Sequence, residues 1–178
     1  MALVPEESLA QRVHAHTSLR AYMPLIAVTG VILAAVATVG ILDYTAGTWS
    51  PLHSAMHLMA GYFLAFGTFK LIDLPGFASG FSSYDIIAAR VPAYGYLYPF
   101  IEILFGLCML AGVLSLPLLY AQLVFMGIAV LSVTLHLSDP NRVDCLCLGT
   151  VLKVPLTTIT LLESSSMLAL TAYVLALY

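Results

Sequence analysis

Apolar residues along this chain are gathered into five long runs separated by shorter, more polar connections. Each run is close to the roughly 20 residues that an α-helix needs to cross the hydrocarbon core of a bilayer, which is about 30 Å thick. The runs lie at Tyr22–Leu42, Leu52–Ile72, Tyr94–Val113, Leu116–His136 and Pro155–Tyr178. The pattern predicts an all-α integral membrane protein with five transmembrane helices at residues 22–178, after a polar cytoplasmic segment at residues 1–21.

One connection, Asp73–Ala93, is long and partly apolar. Pro75 and Gly76 end the preceding helix, and Phe77 and Phe81 begin a set of apolar residues that recur at helical spacing among serines and an aspartate. This spacing predicts a short amphipathic helix that lies on the inner surface of the membrane.

The composition also indicates an integral membrane protein. Of the 178 residues, 61% are hydrophobic and 8% are charged, and the mean hydropathy is +1.01, whereas soluble domains carry roughly 25% charged residues. Membrane lipid is therefore a partner of the chain. Six basic residues are too few for a nucleic-acid-binding face, and three cysteines argue against a disulfide-based secreted fold.

The placement of the basic residues predicts the orientation. All six fall on one side of a five-pass topology: Arg12, Arg20, Lys70, Arg90, Arg142 and Lys153. By the positive-inside rule that side is the cytoplasm, so we expect a bacterial inner-membrane protein with a cytoplasmic N-terminus and a periplasmic C-terminus. Tyr94, Tyr96 and Tyr98 fit an aromatic belt at the inner interface.

The candidate chemistry lies in the connection before the last run, at Asp144-Cys145-Leu146-Cys147-Leu148-Gly149. Two thiols one residue apart can chelate a soft metal such as Cu(I), or close a small, strained disulfide ring that is easily reduced. Arg142 and Lys153 favour the thiolate form that both reactions require. The alternative is that both cysteines are apolar packing residues, because free cysteine is among the most buried residue types.

Two carboxylates interrupt the apolar runs. Glu102 and Glu163 each lie about eight residues from the inner end of their helix, which places them roughly 12 Å deep at 1.5 Å per residue. Such a group must face the bundle and be either protonated or paired. Lys70, Arg90 and His136 are the available partners. The group is either a polar clamp between helices or a proton or cation path to the cysteine connection.

A second candidate metal site lies at the outer end of the second run. His53 and His57 are four residues apart and share a helix face with Met56 close by. Imidazole and thioether groups together suit Cu(I) or another soft metal, although histidine and methionine are also ordinary interfacial residues.

These motifs, taken in order, resemble a known family. The cysteine motif resembles the D-C-x-C-[FL]-G signature of the MauE/DoxX-like membrane proteins, and Cys145 to Glu163 resembles the pattern C-x-C-L-G-T-V-x-x-x-P-x-[ST]-T-[IV]-T-[IL]-[IL]-E of MauE-like domains. Phe69-Lys70-Leu71-Ile72-Asp73, Tyr84-Asp85 and Tyr98-Pro99-Phe100-Ile101-Glu102 resemble other parts of the family pattern. The likeness runs from about His57 to Met167.

The resemblance implies a DoxX-like four-helix bundle, to which the first run adds one N-terminal helix. It also implies a role beside thiol or metal chemistry, since the founding member takes part in methylamine utilisation, in the maturation of a periplasmic quinone-cofactor enzyme with many disulfides. A cytoplasmic C-x-C pair fits that role only if the charge rule misleads, if a thioredoxin-like or glutaredoxin-like partner exchanges electrons with it, or if the pair hands a metal to a metallochaperone.

Three functions from different classes stay open. The chain is a thiol-redox accessory that works through Cys145 and Cys147, a handler of copper or another heavy metal, or a structural helix-bundle subunit of a larger membrane complex. The sequence has no nucleotide loop or hydrolytic triad and predicts no substrate pocket, so a conventional enzyme is the least favoured interpretation.

Overall fold

The computed structural model describes residues 19–137 and 157–178. Within these ranges the chain is helical and contains no strand. The helices are α1 (Leu19–Thr45), α2 (Pro51–Ile72), α3 (Leu74–Phe81), α4 (Pro92–Leu110), α5 (Leu116–Leu137) and α6 (Thr157–Leu177). The prediction of an all-α membrane protein is confirmed.

In the described ranges, four helices are long and apolar enough to cross a membrane. The spans lie at Leu25–Thr45, Pro51–Ile72, Pro92–Leu110 and Leu116–His136, and α6 adds a shorter apolar stretch at Glu163–Leu177. These five segments coincide with the five apolar runs to within a few residues at most of their ends. Helices α2 and α5 end, and α4 and α6 begin, at the same end of the bundle. We call it the Lys70 end.

The helix boundaries follow from local sequence. Pro51 and Pro92 stand in the first turns of α2 and α4, where the missing N–H would have had no helical partner. At the end away from Lys70, Gly47 and Gly112 adopt φ angles of 72° and 70°, a left-handed conformation that glycine adopts at little cost. Short turns there make α1 and α2, and α4 and α5, successive antiparallel passes.

Helix α2 is the centre of the bundle, and its most extensive interface is with α4. A Cβ atom on Gly67 would lie 2.8 Å from Ile103 Cγ1 and 3.2 Å from the carbonyl oxygen of Pro99, and one on Gly106 would lie 2.8 Å from Leu64 Cγ. Both helices therefore use a glycine to bring their backbones close, as small residues commonly do between membrane helices.

Helix α1 is peripheral. Only 6% of its apolar window is buried, against 44% in α2, and in the described residues its main packing is against α2. Ile32 makes this contact, beside Gly61. The first apolar run is thus an addition to the side of the bundle.

The connection after α2 differs from the amphipathic surface helix predicted for it. A helix does form, as α3, and the Asp73 carboxylate caps it by accepting a hydrogen bond from the Gly76 N–H at 3.0 Å. However, Phe77 and Phe81 are only 1% and 4% exposed, and α3 packs against α4. The surface position was wrong because the apolar face of α3 fills space inside the bundle instead of contacting lipid headgroups.

Candidate functional site

The site starts from one buried ion pair. Lys70 lies near the end of α2 and Glu102 in the middle of α4, and the Lys70 Nζ donates to the two carboxylate oxygens of Glu102 at 2.5 and 2.6 Å. Each side chain is 5% exposed. Lysines near helix ends usually extend their ammonium group to the membrane surface. Lys70 instead points it into the bundle, where the closely packed Gly67 lies one turn away on the same helix.

Aromatic rings surround the ammonium group. Its Nζ lies 5.0 Å from the ring centroid of Tyr98 and 5.7 Å from that of Phe77, which are distances of cation–π attraction. Tyr98 in turn lies 4.5 Å from both Phe81 and Phe125, measured between ring centroids. Tyr98 is 4% exposed, so its predicted place in an interfacial belt was wrong. Its ring is a wall of the site.

The ion pair lines a small cavity, to which residues of α2 to α6 and of the connection after α3 contribute. Glu163 and Ser164 of α6 reach the same cavity. Its free volume is about 20 Å³, enough for about one water molecule. The fold thus brings both carboxylates that interrupt the apolar runs to one space, with a lysine between helices α2 and α4.

The two other predicted partners lie elsewhere. The ring of His136 is 5.6 Å from the ring of Tyr84, which lines the cavity, so His136 adjoins the site from the Lys70 end. Arg90 is exposed and donates from Nη1 to the carbonyl oxygen of Ile86 at 3.0 Å. It lies outside the residues that line the cavity.

A further carboxylate holds the connection in place. Asp85, 1% exposed, accepts hydrogen bonds from the backbone N–H groups of Ile87 and Ala88 and from Ser132 Oγ of α5, at 2.9, 2.8 and 2.9 Å. The Ile86 N–H donates to the same Ser132 hydroxyl at 3.2 Å. In the sequence, Asp85 stands out only as part of the family pattern, because a polar residue in a connection gives no signal of a partner 47 residues away.

The sequence profile described as methylamine utilisation protein MauE matches residues 47–177. This is well over half of the chain. The chain belongs to the MauE family. The match takes in α2 to α6 with Lys70, Glu102 and Glu163, and begins after α1, which agrees with the peripheral position of that helix. The chain has no match among curated proteins and none among solved structures.

Cys145 and Cys147, which the sequence predicts as a redox or metal site, lie outside the described residues, as do Arg142 and Lys153. The segment that carries them connects α5 to α6. The third cysteine, Cys108, is partly buried in α4.

At the opposite end of this MauE-family bundle, the two histidines predicted as metal ligands are neighbours. Their ring centroids are 5.9 Å apart, His57 Nδ1 lies 2.8 Å from the carbonyl oxygen of His53, and His53 Nδ1 lies 3.9 Å from Asp43 Oδ2. Met56 is 3% exposed and belongs to the core, whereas His53 is exposed. In the part of the chain that the structure describes, no three His, Cys, Asp or Glu side chains are arranged to hold a metal ion.

Proposed function

We propose that this MauE-family chain is a membrane accessory protein of methylamine utilisation that supports the maturation of a partner protein by thiol–disulfide chemistry at Cys145 and Cys147. The observation that carries the proposal is that the family match includes both cysteines. They stand one residue apart in a six-residue motif that resembles the family signature.

The proposed step is an exchange between two cysteine pairs. A thiolate of one pair attacks the disulfide of the other, a mixed disulfide forms, and the remaining thiol resolves it. One S–S bond breaks and one forms, so the two electrons and two protons pass between the chain and its partner. Such an exchange needs both cysteines, since a single thiol cannot resolve the mixed disulfide.

The described bundle supports this role by fixing the two helices between which the cysteine segment runs. The segment begins after α5, whose last turns are tied by Ser132 to Asp85, and it ends at the start of α6, which packs against α5.

The partner depends on the side of the membrane. With the orientation that the basic residues predict, Cys145 and Cys147 face the cytoplasm, and the partner is thioredoxin-like or glutaredoxin-like. With the opposite orientation the pair faces the oxidising compartment, where it exchanges directly with a disulfide-rich client.

The second candidate is the handling of Cu(I) or another soft metal. The same cysteine pair would bind the metal on one side, His53 and His57 would form an outer site, and a metallochaperone would be the partner. The favouring observation is the adjacency of His53 and His57 at the far end of α2. If His57 Nδ1 donates to the His53 carbonyl, its Nε2 keeps a lone pair for a metal.

The test is a set of serine substitutions in a strain whose growth on methylamine requires this protein. We expect Cys145→Ser, Cys147→Ser and the double variant to abolish growth equally, because half of a disulfide or of a chelate retains little function. Cys108→Ser is the matched control and should grow normally. Partial, additive losses would show two independent packing residues, and loss of metal tolerance with normal growth would favour the metal candidate.

A further inference from the structure

An apolar groove with a free volume of about 260 Å³ lies between α1 and the bundle. Its volume is near the lower end of the range for small-molecule sites, roughly 300–1,000 Å³. Every lining residue except His57 is apolar or glycine, and Ala35, Ala60 and Gly61 are among the small ones that leave space. Apolar walls beside membrane-spanning helices suit an apolar chain rather than a water-soluble molecule.

Contacts at two levels hold α1 beside α2. A Cβ atom on Gly61 would lie 2.7 Å from Ile32 Cγ2, so the backbone of α2 meets a side chain of α1 there. Nearer the turn that joins the two helices, Asp43 Oδ2 lies 3.9 Å from His53 Nδ1. Val31, which lines the groove, is 71% exposed. The groove is therefore open to the lipid around the bundle.

The groove has the length of an acyl chain within one leaflet. It begins near a membrane surface, because Leu110, the last residue of α4, is part of its wall. From His57 to Leu64 it follows α2, a rise of about 10 Å at 1.5 Å per residue. One leaflet supplies about 15 Å of the roughly 30 Å hydrocarbon core. A chain that enters from this surface therefore lies along the helices without leaving its leaflet.

The width of the groove also fits a single chain. A volume of about 260 Å³ spread over about 10 Å of helix gives a mean cross-section of about 26 Å². A transmembrane helix about 10 Å across has a cross-section of roughly 80 Å². The groove therefore has no room for a helix of a second copy or of a partner protein.

The end of the groove nearest the membrane surface carries a negative charge. Asp43 and His53 lie one helical turn beyond Val39 and His57, which line the groove. In the described ranges, Asp43 is the only Asp, Glu, Lys or Arg at this end of the bundle, and the basic side chains lie at the Lys70 end. A carboxylate in this position attracts a cationic head group and repels an anionic one.

The groups at this end accept hydrogen bonds. The distance of 3.9 Å between Asp43 and His53 is longer than a hydrogen bond, and the N–H and hydroxyl of Thr48 donate to the Asp43 carbonyl oxygen, not to its carboxylate. The Asp43 side chain is 26% exposed, so a head group can reach it. His57 Nδ1 lies 2.8 Å from the His53 carbonyl oxygen. A carbonyl oxygen only accepts, so Nδ1 carries the proton and Nε2 of the neutral ring is an acceptor.

We propose that this groove binds one aminophospholipid of the membrane, with an acyl chain in the groove and its primary ammonium group on Asp43. An ammonium group has three N–H donors, which the Asp43 carboxylate and His57 Nε2 accept. The head group of phosphatidylcholine has the same charge but no N–H, and that of phosphatidylglycerol is anionic. Phosphatidylethanolamine is therefore the lipid that the groove selects. Such binding is independent of the cysteine chemistry.

Native mass spectrometry of the full chain tests the proposal. The protein is purified in detergent and mixed with equal amounts of phosphatidylethanolamine, phosphatidylcholine and phosphatidylglycerol that carry the same acyl chains. We expect one phosphatidylethanolamine molecule to stay bound to each chain, about tenfold or more above phosphatidylcholine, because hydrogen bonds between charged groups are worth at least such a factor. Phosphatidylglycerol should bind no better than phosphatidylcholine.

Two variants separate the head group from the chain. Asp43→Asn keeps the size of the side chain but removes its charge, and should lower the ratio of phosphatidylethanolamine to phosphatidylcholine to about three or less. Val36→Phe places a ring in the wall of the groove and should lower the binding of phosphatidylethanolamine about tenfold. Val124→Phe is the matched control, because Val124 lies on α5, is 60% exposed and is not part of the groove. It should bind as the wild type does.

Size-exclusion chromatography checks that each variant is folded, and if Val36→Phe is not, Asp43→Asn decides. Equal binding of phosphatidylethanolamine and phosphatidylcholine by the wild type, or a preference for phosphatidylglycerol, would overturn the proposal. So would a preference for phosphatidylethanolamine that survives Asp43→Asn. A bound molecule of another mass in its place, or a dimer that Val36→Phe dissociates, would show a different occupant and would also contradict it.

Discussion

At the scale of single residues, Lys70 and Glu102 determine the chemistry of the bundle interior. Removing two charges from water is expensive, and the cost is repaid only if their hydrogen bonds are short and well placed. Here both carboxylate oxygens accept from Nζ at 2.5 and 2.6 Å, and the rings of Tyr98 and Phe77 surround the ammonium group. The pair therefore stabilises the fold only while both members are present.

Glu102→Gln should destabilise the protein by about 1.5–3 kcal/mol, the usual contribution of hydrogen bonds to a charged group. Glu163 lines the same cavity, and we expect it to limit the loss by approaching the ammonium group. In the double variant Glu102→Gln with Glu163→Gln, both carboxyl groups that line the cavity are gone, and we expect a loss of about 3–5 kcal/mol, more than the sum of the single losses.

The free energy of unfolding in detergent, measured for the wild type and all three variants, checks this expectation. Ser164→Ala is the control at the same cavity and should change stability by less than about 1 kcal/mol. A Glu102→Gln variant as stable as the wild type would show that the ion pair contributes nothing to the fold.

The depth of Glu102 and its need for a partner could be predicted from the sequence, because counting residues along a membrane helix gives depth directly. The choice of partner could not. Lys70 and Arg90 both lie near the same membrane surface in the sequence, and only the approach of α2 and α4 at Gly67 decides between them. The aromatic rings around the ammonium group were not predicted for the same reason. In the sequence Tyr98 looks like an interfacial residue, and only the structure shows that α3 covers it.

At the scale of elements, the fit between α2 and α4 positions the cavity. The Cβ atom missing at Gly67 would meet Ile103, the Pro99 carbonyl and Glu102 Cβ at 2.8, 3.2 and 3.4 Å. A backbone carbonyl cannot move aside as a flexible side chain can. The distance between the two helices is therefore set at the level of the ion pair.

Two glycine substitutions should consequently have opposite signs. Gly67→Ala forces α2 and α4 apart and should cost about 1–3 kcal/mol, as overpacking does. Gly127→Ala in α5 meets nothing within 4 Å and should stabilise its helix by about 0.5–1 kcal/mol, because alanine loses less backbone entropy than glycine. Thermal unfolding of the two variants measures both effects, and equal shifts would contradict the close packing at Gly67.

The connection between α2 and α4 shows what periodicity predicts and what it leaves open. Apolar residues at helical spacing correctly predicted a helix at Phe77 and Phe81, because that spacing produces one apolar face, but the helix ends at Phe81 and turns follow it. The pattern does not say whether the face meets lipid headgroups or other helices. Asp85 and Ser132, which fix the connection to α5, are separated by 47 residues, a distance at which local sequence carries no information.

At the scale of the whole molecule, the MauE-family bundle of α2 to α6 carries α1 on its side. The number of spans and most of their boundaries followed from hydrophobicity because a helix of about 20 apolar residues crosses the hydrocarbon core and satisfies its own backbone groups within lipid. The orientation rests on a separate property, the position of all six basic residues on one side, and is a proposal that labelling tests.

Single-cysteine labelling in a background without the native cysteines should find positions 45–50 accessible to an impermeant reagent in intact cells. Positions 141–153 should react only after permeabilisation, because the positive-inside rule places them in the cytoplasm. Reaction of positions 141–153 in intact cells would reverse the orientation and place Cys145 and Cys147 in the oxidising compartment.

The central claim is that Cys145 and Cys147 exchange disulfides with a partner protein, and trapping the mixed disulfide measures this most directly. Chains with Cys145→Ser or Cys147→Ser, in a Cys108→Ser background, are alkylated in intact cells and separated without reductant. In at least one of the single variants we expect the chain to migrate as a covalent complex that reductant dissolves, because the resolving thiol is missing. The double variant should form none. Free thiols in both single variants, with no covalent complex under conditions where the wild type supports growth on methylamine, would contradict the claim.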